Sequence, residues 1–174
     1  AGASGGGGGG TPKRDDYWAG GTGILGQGYA GGTGGGQSYG GGGGGGGAGS
    51  VGRDMLYIPN RSSTTKGAPV VWGGLGGDGK ASSITGSSII YATGGKGHAV
   101  TDDNMWSIQG TNGLGEGAGA GEGNYSDSVT GGSGVVILRV KTSQYTGITT
   151  GSPEITQDGE DTVIRFTGNG TYTS

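Results

Sequence analysis

The chain has no cysteine, which excludes disulfide staples and thiolate metal sites. Proline occurs four times, too rarely for collagen, and no strict Gly-X-Y repeat is sustained. Hydrophobic residues make up only 28% of the 174, little with which to build an ordinary core. Charge is sparse as well: 10 Lys and Arg against 13 Asp and Glu leave a net of −3. There is no basic run, so the electrostatic footprint of nucleic-acid binding is missing. No stretch approaches the ~18 apolar residues of a membrane span, so membrane insertion is not expected. Convincing helical periodicity is absent too.

What the chain does have is glycine, 52 residues of it, with eight in succession at 40–47 and six at 5–10. Glycine inside a helix or strand costs about 0.5–1 kcal/mol relative to alanine, because it has more backbone freedom to lose. Such runs are either flexible linkers or main chain packed so closely that no side chain fits. Composition alone favours the linker. The three Trp, the eight Tyr and apolar runs such as "VVILRV" at 135–140 argue instead for an ordered object with an unusual core.

A period of three supports the second reading. Counting every third residue from Gly28 gives glycine at 28, 31, 34, 40, 43, 46, 49 and 52, with Gln37 the one interruption. Three residues per turn at 3.1 Å rise is polyproline-II geometry, in which residues 40–47 span roughly 25 Å. A polyproline-II helix has no internal hydrogen bonds, so a buried one must pair its N–H and C=O groups with neighbours.

The C-terminal sequence has another character. Residues 134–140 and 161–174 carry β-branched and aromatic side chains bounded by turn formers, and read as strands. Val163, Arg165 and Thr167 alternate with Ile164 and Phe166, as expected of a half-buried strand. Gly168-Asn169-Gly170 reads as a tight turn into "TYTS", and residues 87–95 as a further short strand. Between the glycine tracts lie three excursions, at 11–18, 51–72 and 98–112, which hold all three tryptophans and both methionines. Loops on a rigid scaffold are where recognition residues gather.

Candidate catalytic patterns are weak. "GLGGDGKAS" at 74–82 nearly matches a phosphate loop, but Ala81 stands where the Mg²⁺-holding hydroxyl belongs and no helix pattern follows. "GTGILG" at 21–26 is an equally weak dinucleotide fingerprint. His98, the one histidine, has no nucleophile motif to serve. Asp102-Asp103 and Asp158/Glu160/Asp161 lack the ligand spacing of a calcium loop and read as solvated turn acids. The glycosylation triplets at Asn60, Asn124 and Asn169 matter only in a secreted eukaryotic protein. No enzymatic activity and no cofactor are expected.

Several phrases, in this order, carry a resemblance: "GQGYAGGTGG", "GGGGGGGAGS", "KASSITGSSIIYATGGKG", "GGSGVVILRV" and "VIRFTGNGTYTS". Together they resemble the glycine-rich domain of bacteriophage tail and tail-fibre proteins, over about residues 20–174. More loosely, the chain is similar to receptor-binding tip adhesins of T-even-like phages. That resemblance implies a non-helical fold, a bundle or sandwich of glycine-rich polyproline-II (polyglycine-II) helices. The expected division is a glycine-rich bundle with inserted loops over residues 1–134 and short antiparallel β-strands over 135–174, packing on or capping it. It also implies an apolar strand upstream of "AGASGGGGGG".

The function expected from this is non-enzymatic: a tail-fibre or appendage protein, extracellular on the virion, that binds a host cell-surface receptor, protein or glycan. Its other partners would be virion proteins, and self-association is left open. Three groups of loop residues are the recognition candidates. They are Arg14, Tyr17 and Trp18; Arg53, Met55, Tyr57 and Arg61; and Asp102, Asp103, Met105 and Trp106. Exposed aromatics flanked by charge anchor interfaces and stack on sugar rings. The competing role for Trp18 and Trp72 is to cap the ends of the glycine bundle. Two other functions fit the composition: a purely structural tail or capsid decoration, and an ice-binding protein. The latter requires a regular array of small or Thr side chains, and the threonines show no sustained period.

Overall fold

Upstream glycine and downstream β-branched residues build two unlike arrangements. The computed structural model describes residues 4–10, 16–35, 40–58, 70–98, 109–119 and 129–174. Among them there is no α-helix, and helical structure is limited to one 3₁₀ turn at Thr142–Gln144. Eleven short strands occur: β1 Tyr17–Trp18, β2 Gly34–Gly35, β3 Leu56–Ile58, β4 Val70–Trp72, β5 Lys80–Ser82, β6 Ile89–Tyr91, β7 Val136–Lys141, β8 Thr149–Thr150, β9 Glu154–Asp158, β10 Asp161–Phe166 and β11 Thr171–Tyr172. Every pairing among them is antiparallel.

The C-terminal part is organised by side chains. Strand β10 lies between β7 and β9 in the order β7-β10-β9, with Ile164 opposite both Leu138 and Ile155. Ile164, Val163 and Thr162 are fully buried, and Phe166 nearly so. A central strand covered on both faces reads as a continuous apolar run, which is why β10 loses the half-buried alternation expected of it. Thr162 keeps its hydroxyl paired with that of Thr142 at 3.0 Å. The segment after Gly170 does form a strand, but β11 pairs with β8 rather than folding back on β10. Tyr172 then stacks on Tyr145 with ring centroids 5.9 Å apart. Strand β9 has no strong sequence signal. Its register is fixed by the Gly159-Glu160 turn (Gly159 at φ +60°) and by Arg165–Glu154 pairing at 3.1 Å.

The glycine segments are organised by main chain. Segment 41–49 shares hydrogen bonds with five others, and its donors take turns. Gly42, Gly45 and Ala48 donate to the carbonyls of His98, Gly95 and Ala92. Gly43 and Gly46 donate to Gly8 and Gly5, while Gly44 and Gly47 donate to Arg53 and Ser50. The carbonyls of Gly41, Gly44 and Gly47 accept from Gly35, Gly32 and Tyr29, and those of Gly42 and Gly45 from Gly74 and Gly77. Each partner therefore returns every third residue, at N···O distances of 2.8 to 3.0 Å for all of these.

Two of the three positions in that repeat exclude a side chain. A Cβ on Gly43, Gly44, Gly46 or Gly47 would overlap the carbonyl oxygen of Gly32, Leu75, Tyr29 or Asp78. The third position is roomier in the middle of the segment: a Cβ on Gly45 would stand 3.4 Å from the nearest atom and the next residue in that frame is Ala48, whereas one on Gly42 would lie 2.9 Å from the His98 nitrogen. The same rule orders the neighbouring segment 72–79. There Gly73, Gly74, Gly76 and Gly77 pack against main chain, while Trp72, Leu75 and Asp78 face out.

One link between the two parts is Arg139. The Arg139 guanidinium reaches Asp158 at 2.8 Å, Asp161 at 2.9 Å, and the carbonyl of Ile84 in the β5–β6 turn at 3.2 Å. The carboxylates of Asp158 and Asp161 are thus ion-pair partners in this sheet. Lys141 also lies 3.0 Å from Asp161. Lys141 above all, and Arg139 with it, hold the Asp161 carboxyl below its ordinary range, while Asp158 and Asp161 push the Arg139 guanidinium up.

Candidate recognition end of the molecule

The glycine segments give the molecule two different ends. At one, the connections are tight: the turn at Ile24 to Gln27, the return at Gly47 to Ser50, and the β5–β6 hairpin. The C-terminal sheet meets the scaffold at that hairpin, through Arg139 and Ile84. At the other end lie the described residues that flank 11–15, 36–39 and 59–69, and with them His98.

The second end is built as follows. Strand β1 pairs with β2, placing Tyr17 opposite Gly35 and Trp18 opposite Gly34, and Gly35 in turn bridges Gly41. A Cβ on Gly41 would meet Val71 at 2.8 Å, Met55 at 3.4 Å and the carbonyl of His98 at 3.5 Å. One on Gly10 would meet the carbonyl of Gly40 at 2.9 Å. Strands β3 and β4 pair Leu56 with Trp72, Tyr57 with Val71 and Ile58 with Val70. Gly10, Asp16, Gly35, Gly40, Ile58, Val70 and His98, the described residues next to 11–15, 36–39, 59–69 and the start of 99–108, are therefore collected at one end.

Local chemistry explains the construction. Val71 is the one apolar side chain buried here among the described residues, 1% exposed, and it seats on Gly41, where there is no side chain to displace it. Burying a Val contributes about 1.5–3 kcal/mol, enough to pin a three-residue hairpin stem that has few other contacts. Alternation along β4 then turns Trp72 outward, and Leu56 across from it is also half exposed. Tyr17 and Trp18 are more exposed still, at 61% and 57%. The flat glycine strand opposite them offers no side chain to cover their rings. Half-exposed Trp18 and Trp72 leave much of their ring surface free.

Of the recognition candidates, Tyr17, Trp18, Met55 and Tyr57 come together at this end, Met55 and Tyr57 half-buried. Arg53 lies farther back: its N–H donates to Leu75 and its carbonyl accepts from Gly44, so its main chain belongs to the scaffold while its side chain is exposed. Arg14, Arg61, Asp102, Asp103, Met105 and Trp106 lie outside the described residues. The sequence reasoning left Leu56 and Trp72 out of the candidate groups. Strand alternation in "MLYI" and "VVW" is the signal that finds them.

The other motifs resolve as structure. Lys80 and Ala81 belong to β5, so no helix N-terminus follows Gly79 to receive phosphate. Among the described residues no group of three His, Asp or Glu could hold a metal ion, and no helix is long and apolar enough to cross a membrane. What the described residues of this end present is exposed aromatic and apolar side chains, Tyr17, Trp18, Leu56 and Trp72, on a main-chain scaffold. No family model, no curated protein and no solved structure matches the chain.

Proposed function

We propose that this chain is a host-attachment protein of a bacteriophage tail fibre or similar virion appendage. Its glycine segments act as a polyglycine-II bundle that holds the recognition end rigid. The bundle reading is supported by hydrogen-bond partners that return every third residue along 41–49, and by the overlap that any Cβ would meet at two positions in three. The attachment reading rests on one observation: the described residues flanking 11–15, 36–39 and 59–69, together with His98, gather at one end with Tyr17, Trp18, Leu56 and Trp72 exposed. Aromatic side chains on a stiff support bind a receptor at small conformational cost. The C-terminal sheet joins the opposite end, and in this reading it faces the rest of the virion.

The experiment is binding of the fluorescently labelled chain to a panel of bacterial strains, followed by competition against phage adsorption on any strain that binds. Replacement of Tyr17 and Trp18 by Ala together is expected to lower cell binding at least tenfold with the melting temperature unchanged. A chain that binds no strain, or whose double variant binds as well as the parent, points instead to a purely structural virion component.

A further inference from the structure

Segment 41–49 has main-chain partners on five sides: 5–8, 29–35, 50–53, 74–77 and 92–98. Packed parallel rods of equal width have six neighbours. The sixth place is a groove of about 480 Å³, with residues 5–10 as one wall, 92–98 and 115–118 as the other, and Gly42, Gly45 and Gly46 at its floor. Most of the residues lining this groove are glycine, with Thr93, Lys96, His98 and Glu116 among the others.

On the floor, a Cβ built on Gly45 would stand between Gly95 at 3.4 Å and the carbonyl of Gly5 at 3.9 Å, hence between the two walls. On the first wall Gly6 and Gly9, three residues apart, have nothing within 4 Å of a Cβ, whereas Gly5, Gly7 and Gly8 are closely packed. On the other wall Thr93 and Lys96 keep the same spacing. Among the described residues the N–H groups of Gly7 and Thr93 make no main-chain hydrogen bond, although those of Gly5, Gly8, Ala92 and Gly94 do.

We infer that the groove is a binding site for one extended, glycine-rich segment of another polypeptide, seated as a sixth rod beside 41–49. This rests on the polyglycine-II reading of the scaffold. The occupant is specified by segment 41–49 itself: among the described residues its Gly43 and Gly46 carbonyls, three residues apart, accept no main-chain hydrogen bond, whereas those of Gly41, Gly42, Gly44, Gly45 and Gly47 bind two of the existing neighbours, so the site continues an interface the chain already makes with itself. A segment with side chains at every position could not come close enough to form those bonds. A Gly-Gly-X segment could, with X directed toward solvent. At 3.1 Å per residue, six such residues match the length of the 5–10 wall, roughly 19 Å.

The test is heteronuclear NMR on the ¹⁵N-labelled full chain, titrated to millimolar with a peptide of three Gly-Gly-Ser repeats, and separately with one of three Ala-Ala-Ser repeats. The glycine peptide is expected to shift the amides of Gly7, Gly45 and Thr93 and to slow hydrogen exchange at Gly7 and Thr93 at least fivefold. The alanine peptide is expected to do neither. Gly45→Val, which fills the floor, is expected to abolish the response; should that variant fail to fold, Gly9→Leu on the open wall serves as the second block. Loss of the inference differs from loss of the scaffold reading. In the first case the unliganded chain still protects the amides of residues 42–48, and in the second those amides exchange at once. Equal effects of the two peptides, or no groove shift with either, overturn the inference.

Discussion

The glycine segments and the C-terminal sheet keep their shape by opposite means. Around Ile164 buried Val, Thr and Phe side chains gather, and the main chain is a frame that carries them. Around Gly44 the main chain is the contact surface, and a single methyl group would occupy the position of the Leu75 carbonyl. Side-chain cores derive cohesion from apolar area, about 25 cal/mol per Å² removed from water. The glycine array buries little such area and relies on directional N–H···O bonds, each worth about 0.5–1.5 kcal/mol net. The comparison teaches that periodicity can specify a fold even where side chains are absent, because the vacancy itself recurs at a fixed spacing.

The largest effect expected from this contrast is at Gly44. Gly44→Ala should cost upward of ~3 kcal/mol, beyond ordinary overpacking, since the obstacle is backbone rather than a movable side chain. Gly9→Ala, at an open position, should stay within about 0.5 kcal/mol of the parent. Urea unfolding of both variants measures the difference, and similar midpoints would mean that close main-chain packing is not what holds the array.

Next comes the sheet. Ile164→Ala should cost about 2–5 kcal/mol, the range for deleting a fully buried aliphatic side chain. Hydrogen exchange on the same variant sharpens the comparison. Protection kept at residues 42–48 while β7 and β10 open shows two units of separate stability, and simultaneous loss shows one.

A smaller effect is expected at Gly45→Ala. Its Cβ has 3.4 Å of clearance in the frame that already holds Ala48, and the stiffer unfolded chain offsets part of any crowding. The change should be about 1 kcal/mol or less, read from the same unfolding curves. A cost as large as that of Gly44→Ala would remove the distinction between the three frames.

The smallest effect is electrostatic and confined to the sheet. Asp161 has its folded pKa held below the ordinary 3.8 by Lys141 and Arg139. Stabilisation from that pairing is therefore complete above the unfolded value and is lost as pH falls through the folded one. A melting series from about pH 5 to about pH 2 should show the C-terminal transition drop at the acid end, less so in roughly 1 M salt, because the ion pairs are exposed and screened. An acid-induced drop of equal size in Asp161→Asn would assign the effect to other groups.

Much of this is legible in the sequence. The C-terminal strands announce themselves in "VVILRV" and "DTVIRF", and β6 falls within the strand read at 87–95. The period of three in residues 28–52 reappears as partners that return every third residue. Less legible are pairings between distant elements. Nothing local says that β11 joins β8 instead of β10, or that Gly8 lies against Gly43, because identical glycines carry no address. The candidate site is half visible: aromatic loop residues stand out, whereas Leu56 and Trp72 become neighbours only through the β3–β4 register.

By itself, then, the sequence determined the period of three in the glycine tracts and which C-terminal stretches form strands, since both depend on residue type and short-range spacing. Only the tertiary structure decided which glycine segment lies beside which, that Gly10, Asp16, Gly35, Gly40, Ile58, Val70 and His98 share one end, and that one flank of segment 41–49 is open. Those facts depend on loop lengths and on main-chain bonds between segments many residues apart, and a run of identical residues cannot encode them locally.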